Sequence, residues 1–213
     1  MKVGVIIPYK EDRGWLSQAI ESVNRQTYKG EIHLSVQQSD NSVGYNLNRG
    51  IEDCLENECS LIRYLCEDDM LTHHSIEKSV QFFKENPVHI MHSNAINFYQ
   101  DKRRPQQLQK PRKTNPTLED MLEFNVLHGG TVVYRYDCFF GFDSDPLFDE
   151  SLWTGEEYDF NMRLMSQGCT IGYLDEVTYN YRRHSKQKSL GNTDAKYQAK
   201  RKKAIEKIKN RYR

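Results

Sequence analysis

Three consecutive carboxylates, Glu67, Asp68 and Asp69, directly follow the apolar run Leu61-Ile62-Arg63-Tyr64-Leu65-Cys66. The run is short, branched and aromatic, which predicts a buried strand. Acids gathered at the C-terminal end of such a strand are costly unless something positive meets them. In open α/β sheets ligands sit outside the carboxyl ends of the strands. Hard divalent cations prefer carboxylate oxygen, and Mg²⁺ commonly keeps substrate phosphates as further ligands. The cluster therefore suits a metal that holds a phosphorylated ligand. A plainer role stays open, an acidic loop in which Asp69 caps the following helix.

Two further groups carry chemistry. Gly155-Glu156-Glu157-Tyr158-Asp159 opens a helix-like segment. A carboxylate at an exposed helix start that faces a cleft can act as general base. Thr154 and Glu157 also have the spacing of a capping box, and a Glu folded onto its own backbone cannot take a proton. Tyr181-Arg182-Arg183-His184-Ser185 combines cations, an imidazole and a hydroxyl, which suits a phosphate or a metal-bound diphosphate as well as an ordinary charged loop. Gly129 and Gly130 would let backbone approach a ligand, or simply form a turn.

The elements that must position these groups alternate. Val3–Ile7, Ile32–Val36 and Leu61–Cys66 read as strands. Between and after them, Trp15 to Val23, Gly44 to Glu56 and His73 to Lys84 carry apolar residues at helical spacing. Three β-α alternations in the first 86 residues predict right-handed βαβ units and a parallel sheet. The second half is less regular. Short strands are expected at Val88–His92, Ala95–Phe98, Thr131–Tyr134, Ile171–Leu174 and Val177–Tyr181, with helices at Leu118–Phe124 and Thr154–Gln167. Residues 101–117, with three prolines and six Lys or Arg, read as a mobile, lid-like loop.

At 213 residues the chain is expected to form one domain over 1–195, with a donor-side half (1–100), an acceptor-side half (101–195) and a basic C-terminal segment (196–213). Hydrophobic content is only 37%, but thirteen Tyr and nine Phe supply large buried areas for a core. No stretch nears the roughly 20 apolar residues of a membrane span, and the N-terminus reads as a strand rather than a signal peptide. The five cysteines form no Cys-x-x-Cys pair, consistent with reduced thiols and a cytoplasmic setting. Cys66 reads as a packed hydrophobe. Net charge is zero, yet residues 196–213 hold nine Lys or Arg and one acid, Glu206. That segment reads as a solvated helix with Ala199, Ile205, Ile208 and Tyr212 as apolar points, or as a peripheral contact for an anionic membrane. No aromatic or glycine pattern accompanies the charge, so no nucleic acid is expected.

The order of the motifs adds more than any one of them. Val-x-Ile-Ile-Pro-Tyr at the start is followed by Ala19-Ile20-Glu21-Ser22-Val23-x-x-Gln26-Thr27-Tyr28 and Gly44-x-x-x-Asn48-x-Gly50-Ile51. Then come Leu65-x-x-Asp68-Asp69, Gly155-Glu156-Glu157-Tyr158-Asp159 and Tyr181-Arg182-Arg183-His184. In this order they closely resemble the family 2 glycosyltransferases with a GT-A fold, over roughly residues 1–190. The compact size also resembles, more faintly, the capsid-decorating glycosyltransferases of large DNA viruses; bacterial surface-glycan synthesis is an equally fair context.

The resemblance implies an α/β fold of GT-A type, with a Rossmann-like, mostly parallel central sheet flanked by helices and a smaller acceptor-side region. It implies transfer of a sugar from a nucleotide-diphosphate sugar to a glycan or glycoprotein hydroxyl, usually with inversion. It also implies Mn²⁺ or Mg²⁺ bridging the diphosphate to an Asp-x-Asp motif, which falls here on Cys66-Glu67-Asp68. Asp68 keeps the main ligand position. Cys66 is a departure, so Glu67 or Asp69 substitutes for the missing carboxylate. His184 matches a position that contacts diphosphate or metal, giving Asp68, Asp69 and His184 as the expected metal set. Pro8, Tyr9 and Glu11 match the nucleoside loop. Gln38 and Asp40 replace the base-reading acids, and amides can still read uracil, so UDP-sugar is the favoured donor. Asn48, Glu67, Arg182 and His184 complete the donor set, with Arg182 or Arg183 stabilising the leaving group. Glu157 is the base by position, with Glu156 and Asp159 behind it. A sugar nucleotidyltransferase and a degenerate nucleotide-sugar binding module are the alternatives. The first lacks a glycine-rich activating loop here, and the second is favoured by Cys66.

Overall fold

The computed structural model describes residues 1–100, 104–140, 147–185, 187 and 195–213. Strands β1 (Val3–Tyr9), β2 (Ile32–Gln38) and β3 (Leu61–Tyr64) alternate with helices α1 (Leu16–Asn24) and α2 (Val43–Glu56). Then follow β4 (Met70–Leu71), α3 (Ser75–Glu85), β5 (Ile90–Tyr99), β6 (Gln107–Gln109), α4 (Leu118–Glu123), β7 (Val133–Arg135), α5 (Glu156–Ser166), β8 (Ile171–Arg183) and α6 (Ala195–Lys209). The strands form one sheet in the order β2-β1-β3-β7-β5-β8-β4, with β6 added beside β5.

The expected parallel unit is present. β1 lies between β2 and β3, parallel to both, so their C-terminal ends share one edge. β5 and β8 form the third parallel pair, from Ile90 opposite Ile171 to Tyr99 opposite Arg183. The antiparallel pairings of β3 with β7, β7 with β5, β8 with β4 and β5 with β6 are each two or three residues long. Most of the register is therefore parallel within a mixed sheet.

Alternation along β1 builds a core on each face. Val3, Val5 and Ile7 pack with Ala19 and Val23 of α1 and with Ile76, Val80 and Phe83 of α3. Ile6 points the other way, toward Leu47 and Ile51 of α2 and, through the same cluster, Phe160 and Ile208. Ser42 caps α2 by accepting from the Tyr45 amide at 3.1 Å, and Thr117 with Asp120 forms a capping box on α4.

Four expectations change. The two short strands foreseen at 88–98 are one continuous β5, and those at 171–181 are one long β8 with an irregularity facing Ser93 to Ala95. β4 was not foreseen: two residues are too few to carry a period. The loop read as mobile is tied down over its described part, residues 104–117, while 101–103 lie outside the described residues. β6 pairs with β5, and His92 Nε2 stands 2.7 Å from the Thr114 carbonyl oxygen. Finally, the basic C-terminal segment is not wholly solvated. Ile208 is fully buried, Ile205 and Tyr212 pack on the core, and Lys209 donates to the Glu123 carbonyl at 2.8 Å. Its outer face exposes Lys196, Lys200, Lys202, Lys203 and Lys207. Among the described residues no helix is long and apolar enough to cross a membrane.

Candidate active site

The three acids sit where the sheet ends. After β3 the chain turns, with the Asp69 amide donating to the Cys66 carbonyl at 3.1 Å, and this lifts Glu67 and Asp68 onto the C-terminal edge. Arg13 meets them from the loop after β1. Its Nε donates to Glu67 Oε1 at 2.6 Å and a terminal nitrogen donates to Asp68 Oδ2 at 2.8 Å. The loop holds that shape because Asp12 Oδ1 accepts from the Gly14 and Leu16 amides at 2.8 and 3.3 Å, which also starts α1. Burial and the Asp68 charge push the Glu67 carboxyl up, while Arg13 pulls it down. From the far end of β8, His184 brings Nε2 to 2.9 Å from Asp68 Oδ2, and its ring lies 4.5 Å from Trp15.

Asp69 has a different setting from Asp68. It is 2% exposed and accepts from the Tyr179 hydroxyl at 2.8 Å and from the Arg182 amide at 2.7 Å. Burial and the neighbouring Asp68 push its carboxyl well above the usual range, against those hydrogen bonds. Cys66, Asp68 and Asp69 still bring ligand atoms within 4.8 Å of one another. The Cys66 thiol is driven well up by burial and by the three acids. Asp68 Oδ2 and His184 Nε2 are donors of the kinds divalent cations take, and Arg13 occupies the same Asp68 oxygen at 2.8 Å.

Arg182 does not reach outward to a leaving group as expected. Its Nε donates to the Asp68 carbonyl at 2.6 Å, and its other nitrogens donate to Gln100 and Gln18 at 2.8 Å each. The guanidinium packs over Trp15 and Phe98. It is a brace under the acidic turn; Arg183, over Tyr181, is the half-exposed one of the two.

Glu157 lies in the first turn of α5, near Tyr64 at the end of β3. The capping box expected from Thr154 does not form: α5 starts one residue later, capped by Gly155 at φ 82° with no side-chain hydrogen bond. That left-handed backbone favours glycine, and a Cβ there would also press Ile205 and Ile208 of α6. Gly129 gives the other wall. A Cβ on it would collide with the Tyr64 hydroxyl and lie 3.1 Å from Glu157 Cγ. Burial raises the Glu157 carboxyl, opposed by its own backbone amide and by Arg201 of α6. Burial raises the Tyr197 phenol of α6, and the nearby Glu156 adds to it. Asp159 is turned away: it is held by Arg211 at 2.8 Å and the Tyr212 hydroxyl at 3.1 Å, which anchors the C-terminus rather than serving an acceptor.

The nucleoside-side residues share the β1/β2 edge. Tyr9 is opposite Gln38, Gln38 donates to the Lys10 carbonyl at 3.1 Å, Asp40 stands 3.6 Å from Lys10, Pro8 is buried and Glu11 is exposed. Asn48 does not join them. Its side chain donates to the Phe148 carbonyl at 3.0 Å and to Glu150 at 2.9 Å, and accepts from the Phe148 amide at 2.8 Å. It is a clamp on the segment before α5. Sequence reasoning missed Arg13, Trp15, Gln18, Gln100, Tyr64 and Arg201. The signal available for the first three was their place just after β1, on the edge the acids share.

No family model matches the chain, and no curated protein matches it. Solved structures do. S. aureus TarS superposes with a TM-score of 0.67 at 17% identity, over 87% of this chain and 37% of that one. TarS 1–349 in complex with UDP-GlcNAc gives 0.68 at 16% identity, over 88% of this chain and 60% of that one. TarS 1–349 in complex with UDP gives 0.67 at 17%, over 87% and 61%. The fold is of the GT-A class. At these identities the likeness is one of fold, and this chain spans less than two thirds of each TarS chain. The named neighbours are bacterial, so the comparison with viral capsid-decorating enzymes gains no support. Within the GT-A frame, Asp68, His184, Glu67 and Arg13 lie at the C-terminal ends of the strands, and Glu157 lies near Gly129 and Tyr64 in the first turn of α5.

Proposed function

We propose that this chain transfers a sugar from a nucleotide-diphosphate sugar, with a UDP-sugar favoured, to a glycan or glycoprotein hydroxyl with inversion. The observation that carries this reading is that an adjoining carboxylate and imidazole, Asp68 and His184, stand after the ends of β3 and β8 while a desolvated carboxylate, Glu157, stands near Tyr64 at the end of β3, in a GT-A fold. The UDP and UDP-GlcNAc complexes of TarS support the donor class.

In this reading the acceptor oxygen attacks the anomeric carbon as its bond to the diphosphate breaks. Glu157 takes the hydroxyl proton, which makes that oxygen a stronger nucleophile, and UDP leaves with the bonding pair. Asp68 and His184 would hold Mn²⁺ or Mg²⁺, which when bound supplies positive charge for the leaving diphosphate. Asp69 and Arg182 fix the turn that presents Asp68, Tyr9 and Gln38 flank the nucleoside, and Arg13 adds charge beside Glu67. The exposed lysines of α6 support a peripheral contact with an anionic surface in the same picture.

The test is UDP release from UDP-GlcNAc, with GDP- and dTDP-sugars as comparisons, in Mn²⁺, Mg²⁺ or EDTA. Metal-dependent release by wild type that Asp68→Ala abolishes is the expected result. Donor binding without release, with every acceptor offered, would favour the binding module that Cys66 suggests. Absence of both would overturn the transferase reading.

A further inference from the structure

A cavity of about 290 Å³ opens between the strap around β6 and the segment that precedes Gly129. It lies apart from the acidic turn. Ser93, Gln109, Lys110, Arg112, Asn125 and His128 face it, so two cations, two amides, a hydroxyl and an imidazole converge on one space. Its volume is near the lower end of small-molecule sites, roughly 300 Å³, which suits one sugar unit rather than a long chain.

Lys110, Arg112 and Asn125 are exposed at the rim of the cavity, and the strap that carries the first two is held in place. β6 fixes Gln109 opposite Ala95, and the His92–Thr114 contact pins the strap beyond Arg112. Lys110 is paired with Asp175 at 3.1 Å. Arg112 packs over the Phe124 ring, and among the described residues no carboxylate lies within ion-pair distance of it. The His128 ring lies 5.6 Å from Tyr179 and 4.8 Å from Tyr181, and its buried Nδ1 has no hydrogen-bond partner among the described residues. That atom is sealed from solvent, so a ligand in the cavity would meet the ring's other nitrogen, Nε2. Burial holds the imidazole at a pKa of about 4, so it is neutral and can accept as well as donate.

Position adds the last constraint. His128 is followed by Gly129, whose bare Cα faces Glu157 and Tyr64. His128 and Gly129 are consecutive, so the cavity and the candidate base flank the same short stretch of backbone. A cation without an acid partner at the other end of the lining selects for negative charge.

We propose that this cavity is the acceptor subsite, and that it takes a hydroxyl-rich sugar unit bearing an anionic group, phosphate or carboxylate, with Arg112 as the principal cation. The assignment rests on the transferase reading. The test is a ¹H–¹⁵N NMR titration of the full chain with glucose 6-phosphate, glucuronate and, as neutral control, glucose. The expected result is saturable shifts centred on His128 and Arg112 for one or both anionic sugars, at least tenfold tighter than glucose, and weakened about tenfold in Arg112→Gln. The same spectra establish that the variant is folded. Glucose binding as tightly as the anionic probes, shifts confined to the lysines of α6, or unchanged affinity in Arg112→Gln would each overturn the proposal. UDP-GlcNAc binding by wild type is followed separately: its absence would remove the transferase reading, whereas a failed sugar titration with intact donor binding removes only the subsite.

Discussion

His184 Nε2 lies 2.9 Å from Asp68 Oδ2 across 116 residues of sequence. Both side chains are mostly buried, and the contact joins the end of β8 to the turn after β3. Such a pair is either a structural tie or a holder of a cation, and the two roles separate by experiment. Asp68→Ala and His184→Ala are each expected to lower metal-dependent UDP release by about 100-fold or more, at the upper end of what losing even an outer-shell partner costs. Wild-type release that is equal in Mn²⁺ and in EDTA would leave the pair a tie.

Glu157 gives a pH signature. Burial raises its carboxyl above the ordinary value of about 4.3. Between the unfolded and folded values the folded chain holds the extra proton, so the stability this group contributes is present at acid pH and lost as pH rises through the folded value. Glu157→Gln is therefore expected to keep or slightly gain stability at neutral pH while turnover falls about 10²- to 10⁴-fold. In wild type, the acid limb of kcat should lie above the ordinary glutamate range. Glu156→Gln should spare most activity; if it alone inactivates the chain, the base has been misassigned.

Asn48 matters for stability in place of the donor contact its motif suggested. Asn48→Ala leaves the buried Phe148 amide and carbonyl without their partner. The expected loss is about 2–3 kcal/mol in denaturant unfolding, with donor affinity little changed. A large drop in UDP-GlcNAc affinity at unchanged stability would restore the donor role.

The C-terminal helix should be needed for a folded acceptor side. Ile208 is fully buried in the cluster that holds Phe160 and Met121, and Ile208→Ala is expected to cost about 2–4 kcal/mol. Exchanging the exposed Lys203 for Gln should leave the unfolding midpoint within about 0.5 kcal/mol. Equal effects of the two changes in thermal or urea unfolding would mean that α6 does not pack as described.

Local pattern carried the βαβ half well, because period-2 and period-3.6 spacing is written into short segments such as Val3–Ile7 and the Leu47-Ile51-Leu55 face. It did less well where a role depends on the partner. Thr154 and Glu157 have the spacing of a capping box, yet Gly155 takes the cap because the chain enters α5 through a left-handed residue. Arg182 and Asp159 carry the charge expected of them but face inward, one onto Asp68, Gln18 and Gln100, the other onto Arg211 and Tyr212.

The sequence by itself determined the alternation of strand and helix, the place of the acids at the end of β3, and the identity of the titratable groups, since these follow from neighbours a few residues apart. Tertiary structure alone decided which of those groups are available for chemistry. Closing β8 against β5 and β4 brought His184 to Asp68 and Tyr179 to Asp69. The close approach of Gly129 to Tyr64 and Glu157 and the folding of α6 over Gly155 set how far Glu157 is desolvated. Hydrogen bonding and burial are properties of contacts made across a hundred residues, and no local spacing encodes them.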